Sequence, residues 1–366
     1  MKLLRYHNFF NRKIRGKRSI IINLSSAPLH FNYIRRLLVP LIADNTLQIY
    51  IASTFPLPDE LQNKIVHIHN PLEIKKIGAD VLITVDAGKP VDHHRLTKVI
   101  HLPHSIVSTH VIYPEGSFDF FDYIFCVGPH HINELESMFA KRGINKCKLI
   151  PSGYGIIDDL MEIPFTETIP PTILFAPSWG PNNSLRVFGT TLVQELLNNF
   201  QVIVRPHVMS YYEDMDILDV LKDRFSENPH FFIDRNPDSR FVLSKASLVI
   251  SDYSGIAFEY AFAYRRPVIF LNSQMKMFNE NWSHYLPHPG IEVVNRDLIG
   301  VILPDCSSLL ATIFEMLSHI SIYQEKIDQN EHKMLFYKGI FAEKTYLNLK
   351  KVLEENNDEN WCNSKN

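Results

Sequence analysis

The stretch VISDYSGIAFEYAFAYRRPVIFLN, residues 249–272, places an apolar run, a short polar turn, an apolar segment of helical length and a second apolar run in succession. That order describes a strand, a helix and a second strand, the unit from which parallel sheets are built. The turn holds Ser251, Asp252, Tyr253, Ser254 and Gly255. At such a junction backbone N–H groups and hydroxyls can point at an anion, and the helix dipole adds partial positive charge. Gly255 allows a ligand close to the main chain. Glu259 follows one turn into the helix, within reach of a ribose hydroxyl. The same residues also describe an ordinary N-capped helix, with Ser or Asp as the cap and a helping Glu.

Working outward, short β-branched runs alternate with amphipathic segments from Ser19 onward, the signature of βα units. The first series comprises SIIIN (19–23), LQIYIA (47–52), KIVHIH (64–69), DVLITV (80–85), KVIHLP (98–103) and DYIFCV (122–127), with helices at Tyr33–Ile42 and His131–Arg142. Residues 148–172 break into Gly, Pro and acidic positions and read as an exposed connection. The second series comprises TILFAP (172–177), QVIVRP (201–206), HFFID (230–234), LVIS (248–251), VIFLN (268–272) and IEVV (291–294). Its helices fall at Val187–Asn198, Asp214–Phe225 and Ile256–Tyr264.

The expected architecture is α/β: two doubly wound, Rossmann-like domains facing a cleft. A long helical stretch, from Ser307 to about Phe336, crosses back over the first domain. The expected boundaries are 1–18 for a basic N-terminal segment, 19–160 for an acceptor domain, 161–336 for a nucleotide-donor domain and 337–366 for a C-terminal helix and polar tail. Ligands of such folds bind outside the carboxyl ends of the strands.

At 366 residues, 45% hydrophobic and 21% charged, the chain is globular and large enough for two cores. A formal charge of −3 predicts no general attraction to nucleic acid. Cys126, Cys147, Cys306 and Cys362 are too dispersed for a zinc ribbon or a disulfide framework, which fits a reducing cytoplasmic compartment. No apolar run reaches the roughly 18 residues of a membrane span. The first 18 residues carry seven Lys or Arg and no acid, interleaved with Leu, Phe, Tyr and Ile. They read either as a solvated leader or as a contact with an anionic surface, which would place the protein peripherally on the inner face of the cytoplasmic membrane.

Three further segments bring polar groups to strand ends. VIVRPH ends in Arg205 and His207, a cation and a titratable imidazole suited to a diphosphate and its leaving group. TKVIHLPHSIVSTH carries His101, His104 and His110, and a His at that strand end could take a proton from an acceptor hydroxyl. These histidines lack metal-ligand spacing and a neighbouring carboxylate, so no metal site is expected from them. ILFAPSWG supplies Ser178 for a phosphate and Trp179 for a base or acceptor, or else a packed turn.

Taken in order, LPHS, APSW, VRPH and SDYSG followed by RRPVIFLN resemble the CDP-glycerol glycerophosphotransferase family, which includes teichoic acid primases and polymerases. GYGIIDDL, residues 153–160, resembles the family's Gly-containing connection, and the resemblance spans about residues 80–275. It implies a GT-B fold and transfer of glycerol phosphate from CDP-glycerol with release of CMP. His104 matches the family's base, His207 its second catalytic histidine, and Ser251–Gly255 its donor phosphate site. No cofactor is required on this reading, although Mg2+ could assist the diphosphate. The acceptor would be a carbohydrate or glycolipid of a capsule or wall polymer. The sequence departs from the family at Ser105, where Gly is usual, at Gly255, where a second Ser is usual, and after Trp179, where Arg is usual. A nucleotide-sugar glycosyltransferase of the same fold, a catalytically silent nucleotide-binding scaffold and an epimerase are the alternatives.

Overall fold

A computed structural model describes residues 16–24, 27–275 and 277–355. The basic leader and the polar tail therefore lie largely outside the described residues. The chain forms two compact units, one of residues 1–104, 115–155 and 335–366, the other of residues 105–114 and 156–334.

The first unit is a 7-stranded sheet in the order β3-β2-β1-β4-β5-β6-β7. Its strands are β1 (Arg18–Asn23), β2 (Leu47–Ala52), β3 (Val66–Ile68), β4 (Val81–Thr84), β5 (Lys98–His101), β6 (Tyr123–Cys126) and β7 (Lys148–Pro151), and every pairing is parallel. Helices cover both faces of such a sheet, so its central strands read as continuous apolar runs. In β1, Ile20, Ile21 and Ile22 are all buried. Helix α1 (Phe31–Ala43) follows β1 and buries Ile34, Leu37, Leu38 and Leu41, the spacing of one helical face. Helix α2 (Pro129–Arg142) starts on a Pro and ends at Gly143, whose φ of 68° only glycine adopts readily. The strand order reverses direction between β1 and β4, the switch point at which the following loops diverge and leave a crevice.

Two expectations are corrected here. Residues 148–151 form edge strand β7 rather than the start of an exposed linker, because KLIP pairs with β6 from Tyr123↔Lys148 to Cys126↔Pro151. The helix that packs on α1 is Phe341–Glu354, not the Ser307–Phe336 stretch. Its Phe341, Leu349, Val352 and Leu353 join the same core as Ile34, Leu37 and Leu41.

The second unit is a 6-stranded parallel sheet in the order β10-β9-β8-β11-β12-β13. Its strands are β8 (Thr172–Phe175), β9 (Gln201–Val204), β10 (Phe231–Ile233), β11 (Ala246–Ser251), β12 (Val268–Leu271) and β13 (Gly300–Leu303). Helices α3 (Ser184–Leu196) and α4 (Met215–Phe225) pack over it, and the switch point lies between β8 and β11. Helix α5 (Gly255–Tyr264) is buried on nearly all sides through Ala257, Phe258, Tyr260, Ala261 and Phe262, which explains why it lacks an amphipathic pattern. It ends at Arg265 in the left-handed region, and Pro267 prevents its continuation.

IEVV, expected as a strand, is a single helical turn from Ile291 to Val294, started at Gly290. The sixth strand is instead GVIL, and a Cβ at Gly300 would lie 1.8 Å from the Val268 carbonyl oxygen. Only glycine lets β13 approach β12 so closely there. The stretch from Ser307 is likewise not one long helix: α6 (Leu309–Ser318) and α7 (Ile320–Asn330) are separated at His319.

Phe341 is 1% exposed and anchors the C-terminal helix. Phe341→Ala is expected to cost about 3–5 kcal/mol, read as a lower urea midpoint with an unchanged transition slope.

Candidate functional site

Asp252 organises the carboxyl end of the second sheet. It is fully buried at the end of β11. Its Oδ1 accepts from the backbone N–H of Ser178 at 2.7 Å and of its own neighbour Tyr253 at 2.7 Å. Oδ2 accepts from Ser184 N–H at 3.0 Å and from the Ser273 hydroxyl at 3.4 Å. One carboxylate thus ties the loops after β8, β11 and β12 together, with charge-assisted bonds that are stronger than neutral ones. Ser251, also fully buried, donates its hydroxyl to the Ala176 carbonyl at 2.6 Å.

The turn therefore divides into two sets. Ser251 and Asp252 brace it from inside, whereas Ser254, Gly255 and Glu259 are partly exposed. Ser254 is the N-cap of α5, yet its side chain makes no capping hydrogen bond. The simple capping reading thus fails, and the first N–H groups of the helix keep their capacity for an anion. A Cβ at Gly255 would already touch Ile106 Cγ2 and Val107 Cγ1 at 3.4 Å and Ser105 Oγ at 3.5 Å. Those are ordinary van der Waals distances, so packing alone would admit a Cβ at this position. The Tyr253 hydroxyl donates to the Ser273 carbonyl at 3.1 Å and to Asn272 Oδ1 at 3.3 Å.

The loops after β8 and β9 meet through aromatic contact. Trp179 stacks on His207 with ring centroids 5.8 Å apart and meets Phe278 in a tilted contact at 5.2 Å. His207 Nδ1 accepts the Met209 N–H at 3.1 Å. A ring nitrogen that accepts carries no proton, so in neutral His207 the proton sits on Nε2. Ser178 is buried, and its backbone rather than its hydroxyl contacts Asp252.

Arg205 differs from expectation. Its guanidinium pairs with Asp234 and donates to the carbonyls of Asn236 at 2.8 Å and Pro237 at 3.4 Å. The charge expected for a diphosphate is balanced by the loop after β10. A different cation lies nearer the turn: Arg296, 5% exposed, has its guanidinium carbon 4.5 Å from the centre of the Tyr253 ring.

In the first unit, His104 follows β5 and its Nδ1 lies 2.6 Å from the Val85 carbonyl oxygen. A carbonyl only accepts, so Nδ1 carries the proton and Nε2 is the basic nitrogen. Tyr154 donates its hydroxyl to the His104 carbonyl at 2.9 Å. His30, after β1, lies 5.3 Å from His104 between ring centroids, and its Nδ1 is 3.7 Å from Asp86 Oδ1, after β4. Burial lowers the His30 pKa, with Asp86 opposing and His104 adding to the fall. His30 and Asp86 were missed in the sequence, although both follow strands at the switch point. Attention to every strand end, rather than to histidine clusters, would have found them. His101 and His110 are both buried: His101 packs on Phe118 and Phe121 beside His104 and the Asp86 backbone, and His110 Nε2 meets the His288 carbonyl at 3.2 Å.

Among the described residues, ligand atoms of His30, Asp86 and His104 lie within 4.8 Å of one another. Two imidazoles and one carboxylate suit a transition-metal ion; for Mg2+, which prefers oxygen ligands, the set is a poor fit.

Two parallel α/β units, each with polar residues at its switch point, define a GT-B fold. Solved structures with this fold include the wall teichoic acid polymerase TagF, with 14% identity, 97% of this chain and 98% of that chain covered, and a TM-score of 0.64. A putative UDP-N-acetylglucosamine 2-epimerase from Listeria monocytogenes gives 12% identity, 93% and 98% coverage and a TM-score of 0.61. A glycosyltransferase from Rickettsia africae gives 13% identity, 93% and 100% coverage and a TM-score of 0.56. No curated protein sequence matches the chain. Residues 133–342, more than half of it, match the CDP-Glycerol:Poly(glycerophosphate) glycerophosphotransferase family. The chain belongs to that family and is a CDP-glycerol-dependent glycerophosphotransferase. Among the described residues no helix is long and apolar enough to cross a membrane.

Two variants test the Asp252 bracing and the burial of His101. Asp252→Asn keeps the size but sets an NH2 group against amide donors, and should lower stability by about 2–3 kcal/mol in urea unfolding. His101 is fully buried, which pushes its imidazole down to about 3 from the ordinary 6.5. Between those values the unfolded chain binds the proton and the folded one does not, so His101 contributes stability above pH 6.5 that is lost as pH falls toward 3. His101→Phe should flatten that part of the stability profile between pH 7 and pH 5.

Proposed function

We propose that His104 is the general base and His207 the acid-side donor in the transfer of glycerol phosphate from CDP-glycerol. The carrying observation is the opposite proton placement on the two rings. The Val85 carbonyl makes Nε2 the basic atom of His104, and the Met209 amide leaves the proton on Nε2 of His207.

An acceptor hydroxyl gives its proton to His104 Nε2 as its oxygen attacks the β-phosphorus. The new O–P bond forms while the bond from that phosphorus to the bridging oxygen breaks, and CMP leaves with the electron pair. His207 Nε2–H donates to the phosphate oxygens of the departing CMP, and the α5 N-terminus stabilises charge on the diphosphate. Trp179 supports the His207 ring by stacking on it, while Glu259 takes the role of acceptor for a ribose hydroxyl. Ser178, Ser251 and Asp252 act through the shape of the turn, and Arg205 through the β10 loop.

The acceptor proposed is a hydroxyl of a cell-surface glycopolymer or of its linker, either a capsule or a teichoic acid. The family's description as acting on poly(glycerophosphate) supports that chemical class. The basic residues 1–18 support contact with an anionic membrane surface, where such acceptors are assembled.

With CDP-glycerol labelled in its β-phosphate, label should enter the acceptor as CMP is released. His104→Asn and His207→Asn should each lower kcat by about 10²–10⁴-fold while the fold is retained. Label remaining in a nucleotide product would favour a sugar transferase, and unchanged turnover in both variants would remove the two histidines from the mechanism.

A further inference from the structure

Among the described residues Arg296 stands out as a buried cation with no carboxylate partner. It is 5% exposed, and its Nη1 is buried with no hydrogen-bond partner. Its other contacts are neutral and long: Nη2 to Asn272 Oδ1 at 3.3 Å and Nε to the Val293 carbonyl at 3.5 Å. The guanidinium lies over the Tyr253 ring at 4.5 Å and near Phe270 at 5.8 Å. Glu292, one turn earlier, directs its carboxylate to Ser108, accepting the hydroxyl at 2.5 Å and the N–H at 3.0 Å. Among the described residues no carboxylate pairs with Arg296. Every other arginine of the second unit for which an ion pair is seen, namely Arg186, Arg205, Arg240 and Arg265, has an Asp partner.

A buried guanidinium cannot discharge itself as a lysine can, and a missing partner is costly in a low-dielectric surrounding. Its position identifies what is missing. Tyr253, on which it rests, immediately precedes Ser254, the N-cap of α5 whose side chain makes no capping bond. The helix start directly follows Tyr253 in the chain and the guanidinium rests on the Tyr253 ring, so two independent sources of positive potential flank this one residue.

We propose that Arg296 is the binding residue that supplies the counter-charge for the donor's diphosphate at the α5 N-terminus. The proposal rests on reading that helix start as the donor phosphate site, and assigns to Arg296 the electrostatic role that the sequence suggested for Arg205. It concerns affinity for the diphosphate part of the donor and not for the cytidine.

The test measures binding of inorganic pyrophosphate, CDP-glycerol and cytidine to the full chain by calorimetry, with Arg296→Met and Arg296→Lys beside the wild type. Arg296→Met should weaken pyrophosphate and CDP-glycerol by about 10- to 100-fold, the size of a charge-assisted hydrogen bond, and leave cytidine unchanged. Arg296→Lys keeps the charge without the planar fork and should fall between, which maintains the test if the Met variant does not fold. Equal weakening of cytidine would mean that the turn has collapsed and would overturn the proposal, as would wild-type affinity for pyrophosphate in folded variants or no pyrophosphate binding by the wild type. Arg296-dependent binding of pyrophosphate without binding of CDP-glycerol would uphold the anion site and remove the donor reading instead.

Discussion

The second unit depends on one carboxylate. Asp252 sits at the end of β11 and holds amide groups from the loops after β8 and β11 together with a hydroxyl after β12. Loops at the end of a parallel sheet have no ladder to fix them, and their N–H groups must find other acceptors. A single ionised group with several lone pairs does this more compactly than several neutral ones. Because the anchors are backbone amides, the neighbouring side chains can change while the loop paths persist. Trp179 and the start of α5 lie on loops held in this way.

The two histidines illustrate a second constraint. Imidazole is nearly symmetric in its chemistry, and a protein assigns its two nitrogens by what it offers the inner one. A carbonyl at His104 and an amide at His207 produce opposite outer nitrogens from the same residue type. This polarity comes from main-chain groups: the Val85 carbonyl directly after the strand Val81–Thr84, and the Met209 amide in the turn that follows Gln201–Val204.

The sequence carried the fold well where strands were long and apolar. LVIS, TILF and QVIV lie where expected, as does the turn Ser251–Gly255 between its strand and helix. It misled at short elements decided by tertiary contact: IEVV has β-branched residues yet forms a helical turn, and GVIL needs the glycine that fits against Val268. At the site, the sequence singled out residue types at strand ends but not their division of labour. Asp252 looks as available as Ser254 in SDYSG, and only burial separates them. Arg205 looked unpaired because Asp234 is distant in sequence, and Arg296 lies in VVNRDL, where nothing marks it as buried. The local pattern reports what a residue is, whereas its counter-charge comes from elsewhere in the chain.

The C-terminal helix has a consequence for biosynthesis. Phe341–Glu354 completes the core of a unit whose strands are all made before residue 152, so a nascent chain emerges with α1 lacking its cover. The second unit lies almost wholly within one continuous stretch, residues 156–334, and can complete its sheet while the first still waits. Folding therefore cannot run strictly from N- to C-terminus, the usual order for domains on the ribosome. The first sheet can form once residue 151 is made, but the core around Leu37 and Leu41 closes only when Phe341–Glu354 follows the second unit.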